Sequence, residues 1–131
     1  MRTYDPTSLT PIDPTSFTWA LAWARRLAGD VPTDGGAWPL HSMHDEEWAA
    51  WLRATAMDVG GTLYYRPHEA AARAVESDPR RLLSLSLAGV SQQYRDPSVV
   101  AAQIRAAGRW VDELIRKASG ASPVEELWPV F

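Results

Sequence analysis

Apolar residues recur every three to four positions through Phe17, Leu21, Ala24 and Ala28, the repeat of a helix with a buried stripe. Asp13-Pro14 ahead of them supplies a cap and a first-turn proline, and Gly29 supplies a stop. The opposite face carries Trp19 and Trp23, four residues apart, with Arg26 beside them, so this helix is apolar on both sides and is expected between neighbours. A second helix is predicted from a capping box of Ser42 with Asp45, its acidic first turn Asp45-Glu46-Glu47 matching the helix dipole. Trp48, Trp51, Leu52, Thr55 and Val59 form its inner stripe, and Gly60-Gly61 ends it. Tyr64-Tyr65-Arg66 before Pro67 reads as extended, after which Pro67 opens a short alanine-rich helix to about Ser77.

The period then changes. Leu83, Leu85 and Leu87 alternate with Ser84, Ser86 and Ala88, the pattern of a half-buried strand, and Val90 to Tyr94 forms a second short strand after Gly89. Asp96-Pro97 caps the last helix, whose stripe of Val100, Ile104, Ala107, Val111, Leu114 and Ile115 runs on until Gly120. The expected fold is mainly α: an antiparallel bundle of about four helices with one small β-hairpin or extended segment and extended terminal arms. A chain of 131 residues predicts a single domain, with an N-terminal arm over 1–14, a helical core over 15–120 containing the extended segment 82–95, and a tail over 121–131.

Composition narrows the chemistry. The absence of cysteine excludes disulfides, thiolate zinc sites, iron–sulfur clusters and cysteine nucleophiles. The charge of −3 is unevenly spread, with an acidic first half and six arginines between Arg66 and Arg105, and neither half is basic enough for generic nucleic-acid binding. No run of apolar residues is long enough to cross a membrane, and the start lacks the apolar core of a signal peptide, so a cytoplasmic protein is expected.

Site-like constellations are few. His41, His44 and Asp45 could share a cation if they converged, but their position at a helix start is explained by capping, and no metal or other cofactor is expected. His68 stands beside Glu69 on a surface-like segment with no partner in the local sequence. Neither a Gly-x-Ser-x-Gly elbow nor a phosphate-cradling glycine pattern occurs, so the chain reads as a non-enzyme. What stands out is seven tryptophans. Trp48 and Trp51 lie on a core stripe, whereas Trp19, Trp23, Trp110 and Trp128 fall off the aliphatic stripes and are expected at protein interfaces.

Three stretches taken together resemble the head-to-tail adaptor, or head completion, proteins of tailed phages: Tyr64-Tyr65-Arg66-Pro67-His68-Glu69-Ala70-Ala71-Ala72-Arg73, then Ser84-Leu85-Ser86-Leu87-Ala88-Gly89-Val90-Ser91, then Tyr94-Arg95-Asp96-Pro97 and the last helix. The likeness covers about half the chain and lies in the order of features: short helix, Ser/Leu segment, Asp-Pro cap, long amphipathic helix. It implies a virion protein of the phage neck, made in the host cytoplasm. Such a protein forms a homo-oligomeric ring, a dodecamer in this family, that joins the portal to a stopper or tail-completion protein and lets DNA pass without sequence-specific contact. Leu83, Leu85, Leu87 and Tyr94 would then add strands to neighbours, and Leu127, Trp128 and Phe131 would insert into a partner groove. The competing reading is a small helical DNA-binding or regulatory module using Arg66, Arg73, Arg80 and Arg81 on phosphates.

Overall fold

The computed structural model describes residues 1–78 and 96–120. It is mainly helical, with α1 over Phe17–Ala28, α2 over Asp45–Thr55, α3 over Pro67–Ser77, α4 over Pro97–Ala107 and α5 over Arg109–Ser119. One two-stranded antiparallel sheet joins α2 to α3, β1 (Met57–Val59) pairing with β2 (Thr62–Tyr64) in the register Met57 to Tyr64. The predicted strands over 82–95 and the tail over 121–131 lie outside the described residues.

The alanine-rich α3 is the hub of the fold, packing against α1, α2 and α4. Ala70, Ala71, Ala72, Ala74 and Val75 are completely buried, and their short side chains let the neighbouring helices approach closely. Trp19, Trp48, Leu52, Val100, Ile104, Val111 and Ile115 close over this helix in one continuous core. Fully burying residues such as Val111 and Ile115 contributes about 1.5–3 kcal/mol each.

Three local expectations are corrected. First, α2 stops at Thr55 rather than running through Val59, which lies in β1. Gly60 and Gly61, with φ of 61° and 87°, make the two-residue turn of the hairpin, a left-handed pair that matches the twist of adjoining strands and that side chains resist. Second, α2 begins two residues later than the Ser42 box: His44 is the N-cap, and Glu47 reaches back to accept its backbone N–H at 3.1 Å.

Third, the predicted single last helix is two, α4 and α5, divided at Gly108. An ideal Cβ at Gly108 would lie 2.1 Å from the His68 Cβ, so α3 and the α4–α5 junction touch backbone to side-chain root at this point.

The N-terminal segment over 1–14, expected as an extended arm, lies against the helices. Pro6–Leu9 forms a 3-10 turn against α1 with Leu9 buried, Pro14 accepts the Tyr65 backbone N–H at 2.7 Å, and the Thr3 N–H donates to Asp45 at 2.9 Å. These contacts fasten the N-terminal segment to α1, α2 and the start of α3.

Candidate functional site

Two features adjoin at the start of α5: an aromatic surface and a cavity walled by ion pairs. The aromatic surface begins with Trp19, which has only 2 % of its surface exposed and belongs to the chain's own core. Its assignment to an interface with another protein is therefore corrected. Helix α1 is buried on both sides, so lying off the aliphatic stripe did not place Trp19 outside. Trp23 is half-buried, with its indole N–H donating to the Leu9 carbonyl at 3.2 Å.

Trp110 covers both, edge-on to Trp23 at 5.3 Å and to Trp19 at 6.3 Å, and keeps 36 % of its surface open. Of the predicted interface residues, Trp23 and Trp110 are thus brought together at the surface. Leu83, Leu85, Leu87, Tyr94, Leu127, Trp128 and Phe131 lie outside the described residues. Arg26 sits over the Trp23 ring at 5.7 Å, and Arg109 precedes Trp110; neither forms an ion pair among the described residues.

Beside this face, a cavity of about 520 Å³ is lined by Arg66, His68, Glu69, Ala102, Arg105, Arg109 and Asp112. Its walls are tied in pairs. Arg66 grips Asp112 through Nε at 2.7 Å and Nη2 at 3.2 Å, and His68 Nε2 lies 3.1 Å from the same carboxylate. Glu69 accepts from Arg73 at 3.1 Å and from Arg105 at 3.0 Å, while Arg105 also reaches Glu76 at 2.8 Å. Burial on its own would raise the Asp112 pKa, but the hydrogen bonds and charges of His68 and Arg66 outweigh it and hold the carboxyl down to about 2. Burial likewise opposes ionisation of Glu69, and the hydrogen bonds from Arg105 and Arg73 again outweigh it, leaving its pKa lowered.

The histidine that the sequence places on a surface is 1 % exposed and paired with a carboxylate forty-four residues away. Its Nδ1 is buried and has no hydrogen-bond partner among the described residues. Elsewhere, His44 caps α2 and Asp45 binds Arg25 and the Thr3 N–H. Among the described residues, no three His, Cys, Asp or Glu side chains converge in a way that would hold a metal ion.

The Asp112 pairing predicts an acid limb in stability. Its folded pKa lies below the ordinary carboxylate value of 3.8, so its contribution is present in full above about pH 4 and is lost as the pH falls through about 2. Asp112→Asn is expected to lower stability at pH 7 by about 2 kcal/mol and to flatten the decline between pH 4 and 2, read from urea unfolding across that range. An equally steep acid limb in the variant would assign the loss to other carboxylates.

Comparison with known proteins identifies no relative: no family model, no curated protein and no solved structure matches this chain.

Proposed function

We propose that this chain is a structural assembly subunit of a tailed-phage virion, a head-to-tail adaptor. In this reading copies of it form a ring that joins the portal to the stopper or tail and continues the DNA channel. The helices around α3 are then the family's antiparallel bundle. The observation that carries the reading at the surface is the face where Trp23 and Trp110 meet, with Arg26 over the Trp23 ring. Tryptophan and arginine are the residues most enriched where proteins bind one another, because they bury large areas and offer planar hydrogen bonding. The order of features along the chain, from Tyr64-Tyr65-Arg66-Pro67 to the helices after Asp96-Pro97, supports the specific family.

The cavity supports a scaffold over an enzyme. A general base must reach the proton it removes, and the ring nitrogen of His68 that is not engaged by Asp112 is buried. The carboxylates in the lining, Glu69 and Asp112, are each held by arginine side chains, and no hydroxyl, thiol or amine lies beside them among the described lining residues. The pairs read as braces that fix α3 against α4 and α5. Of the arginines of the DNA-binding alternative, Arg66 and Arg73 are already occupied by Asp112 and Glu69, while Arg80 and Arg81 lie outside the described residues.

Light scattering of the purified chain, alone and with a candidate portal, tests the proposal. A small species that enters a large complex only when portal is added is the expected result. A chain whose mass is indifferent to portal proteins, and which binds DNA at low salt instead, would replace the adaptor with the regulatory module.

A further inference from the structure

We propose that the cavity beside α5 is a binding site for a small organic anion, a molecule carrying a phosphate or carboxylate group on a larger body. The wall holds three guanidiniums, of Arg66, Arg105 and Arg109, against two carboxylates, of Glu69 and Asp112. Arg73 and Glu76, which complete those pairs from outside the wall, carry one charge of each sign. The wall therefore keeps one net positive charge before any contribution from His68. Arg105 gives all three of its nitrogens to Glu69 and Glu76. Arg66 gives Nε and Nη2 to Asp112, and its Nη1 has no acceptor among the described residues. The surplus charge sits on Arg109, exposed in the first turn of α5, whose side chain has no ion pair among the described residues.

A planar guanidinium with open N–H groups matches the paired oxygens of a carboxylate or phosphate. The two carboxylates that would otherwise neutralise Arg109 are already held, Asp112 by Arg66 and Glu69 by Arg73 and Arg105. Volume then selects the size of the ligand. The cavity of about 520 Å³ lies within the range of about 300–1,000 Å³ typical of small-molecule sites. A water in the liquid fills about 30 Å³, so an inorganic phosphate, no larger than a few waters, leaves most of the space wet. A larger body has surfaces to meet there. Ala102 opens its methyl group at the wall, and the oxygens of Glu69 and Asp112 keep lone pairs that accept from hydroxyl groups.

The test is an NMR titration of the isotope-labelled full chain with ribose phosphate and with citrate, at constant ionic strength. The expected result is saturable shifts of the Arg66, Arg105 and Arg109 amides, with one of the two probes binding more tightly than inorganic phosphate; the tighter probe names the anionic group. Arg109→Gln, a change at an exposed helix position, is expected to weaken binding about tenfold or more. Ala102→Glu, also exposed, is expected to abolish it by setting a third carboxylate in the wall. Lys117→Gln removes the same charge from the other end of α5 and is expected to leave binding unchanged. Shifts that do not saturate, or equal affinity in Arg109→Gln and the parent chain, overturn the proposal. Inorganic phosphate binding as tightly as both organic anions also overturns it, as does binding by a DNA duplex alone, which would assign the contact to a nucleic-acid backbone. Docking to portal is decided separately by the mass measurement, so either reading can fail without the other.

Discussion

Gly108→Ala is expected to destabilise the fold by about 3 kcal/mol or more, a large effect for one added methyl group. The new Cβ would stand 2.1 Å from the His68 Cβ and 2.5 Å from its Cγ. Those atoms are the root of the side chain, so a change of rotamer at His68 does not clear the Cβ contact. The imidazole is also tied to Asp112 through Nε2, and Asp112 to Arg66, so moving His68 disturbs both. Relief must come from separating the α4–α5 junction from α3, the helix on which the core is assembled. Urea unfolding measures the effect as a lower midpoint with an unchanged slope. Gly35→Ala is the matched control, because a Cβ there meets nothing within 4 Å and φ is not positive, so its stability should change little. Equal midpoints for the two variants would show that the close approach at Gly108 does not hold the helices together.

Why that contact was invisible in the sequence explains much of what else was missed. A stripe running from Val100 to Ile115 is the same whether the helix is continuous or broken at one glycine, and nothing near Gly108 announces a histidine forty residues earlier. The starts at Pro67 and Pro97 and the stops at Gly29 and Gly120 were legible, because caps and prolines act through their immediate neighbours. At Gly60-Gly61 the local reading went too far along the helix. Val59 continued the spacing of Trp48, Leu52 and Thr55, so the glycine pair read as a helix stop, whereas in the structure it turns a hairpin.

The candidate site was legible only at its surface. The excess of tryptophan singled out Trp23 and Trp110, yet spacing on α1 could not tell that a helix buried on both sides would take Trp19 inside. The pairs made by His68, Glu69 and Arg66 with α4 and α5 depend on how the chain folds back, which carries no local pattern. One charged residue did leave a trace. Arg25 lies four residues after Leu21 and three before Ala28, within a buried stripe, and an arginine there requires a carboxylate from elsewhere.

That carboxylate comes from two places, and removing the arginine is expected to cost about 3–5 kcal/mol. Arg25 is fully buried, with Nη1 donating to Asp30 at 2.9 Å and Nη2 donating to Asp45 at 2.6 Å and to the Met43 carbonyl at 3.0 Å. Its guanidinium also lies over the Trp38 ring at 4.8 Å. The same Asp30 oxygen accepts the Met43 N–H and the Trp48 indole N–H, so one ion pair holds α1, the loop after it and the start of α2. Burial opposes ionisation of Asp45, and the hydrogen bonds from Arg25 and Thr3 outweigh it. In Arg25→Met both carboxylates lose their cation, and Asp30 is left charged where it is only 7 % exposed. The penalty is then chiefly that of an unpaired buried charge. Arg25→Met with Asp30→Asn should recover a good part of the loss, because a neutral amide oxygen still accepts from Met43 and Trp48. Arg116→Met, which breaks the surface pair with Glu113, should change stability by only about 0.5 kcal/mol. If the two changes at Arg25 and Asp30 instead add in full, the ion pair is not the unit that fastens α1 to α2, and the packing of Trp48 and Met43 carries that junction alone.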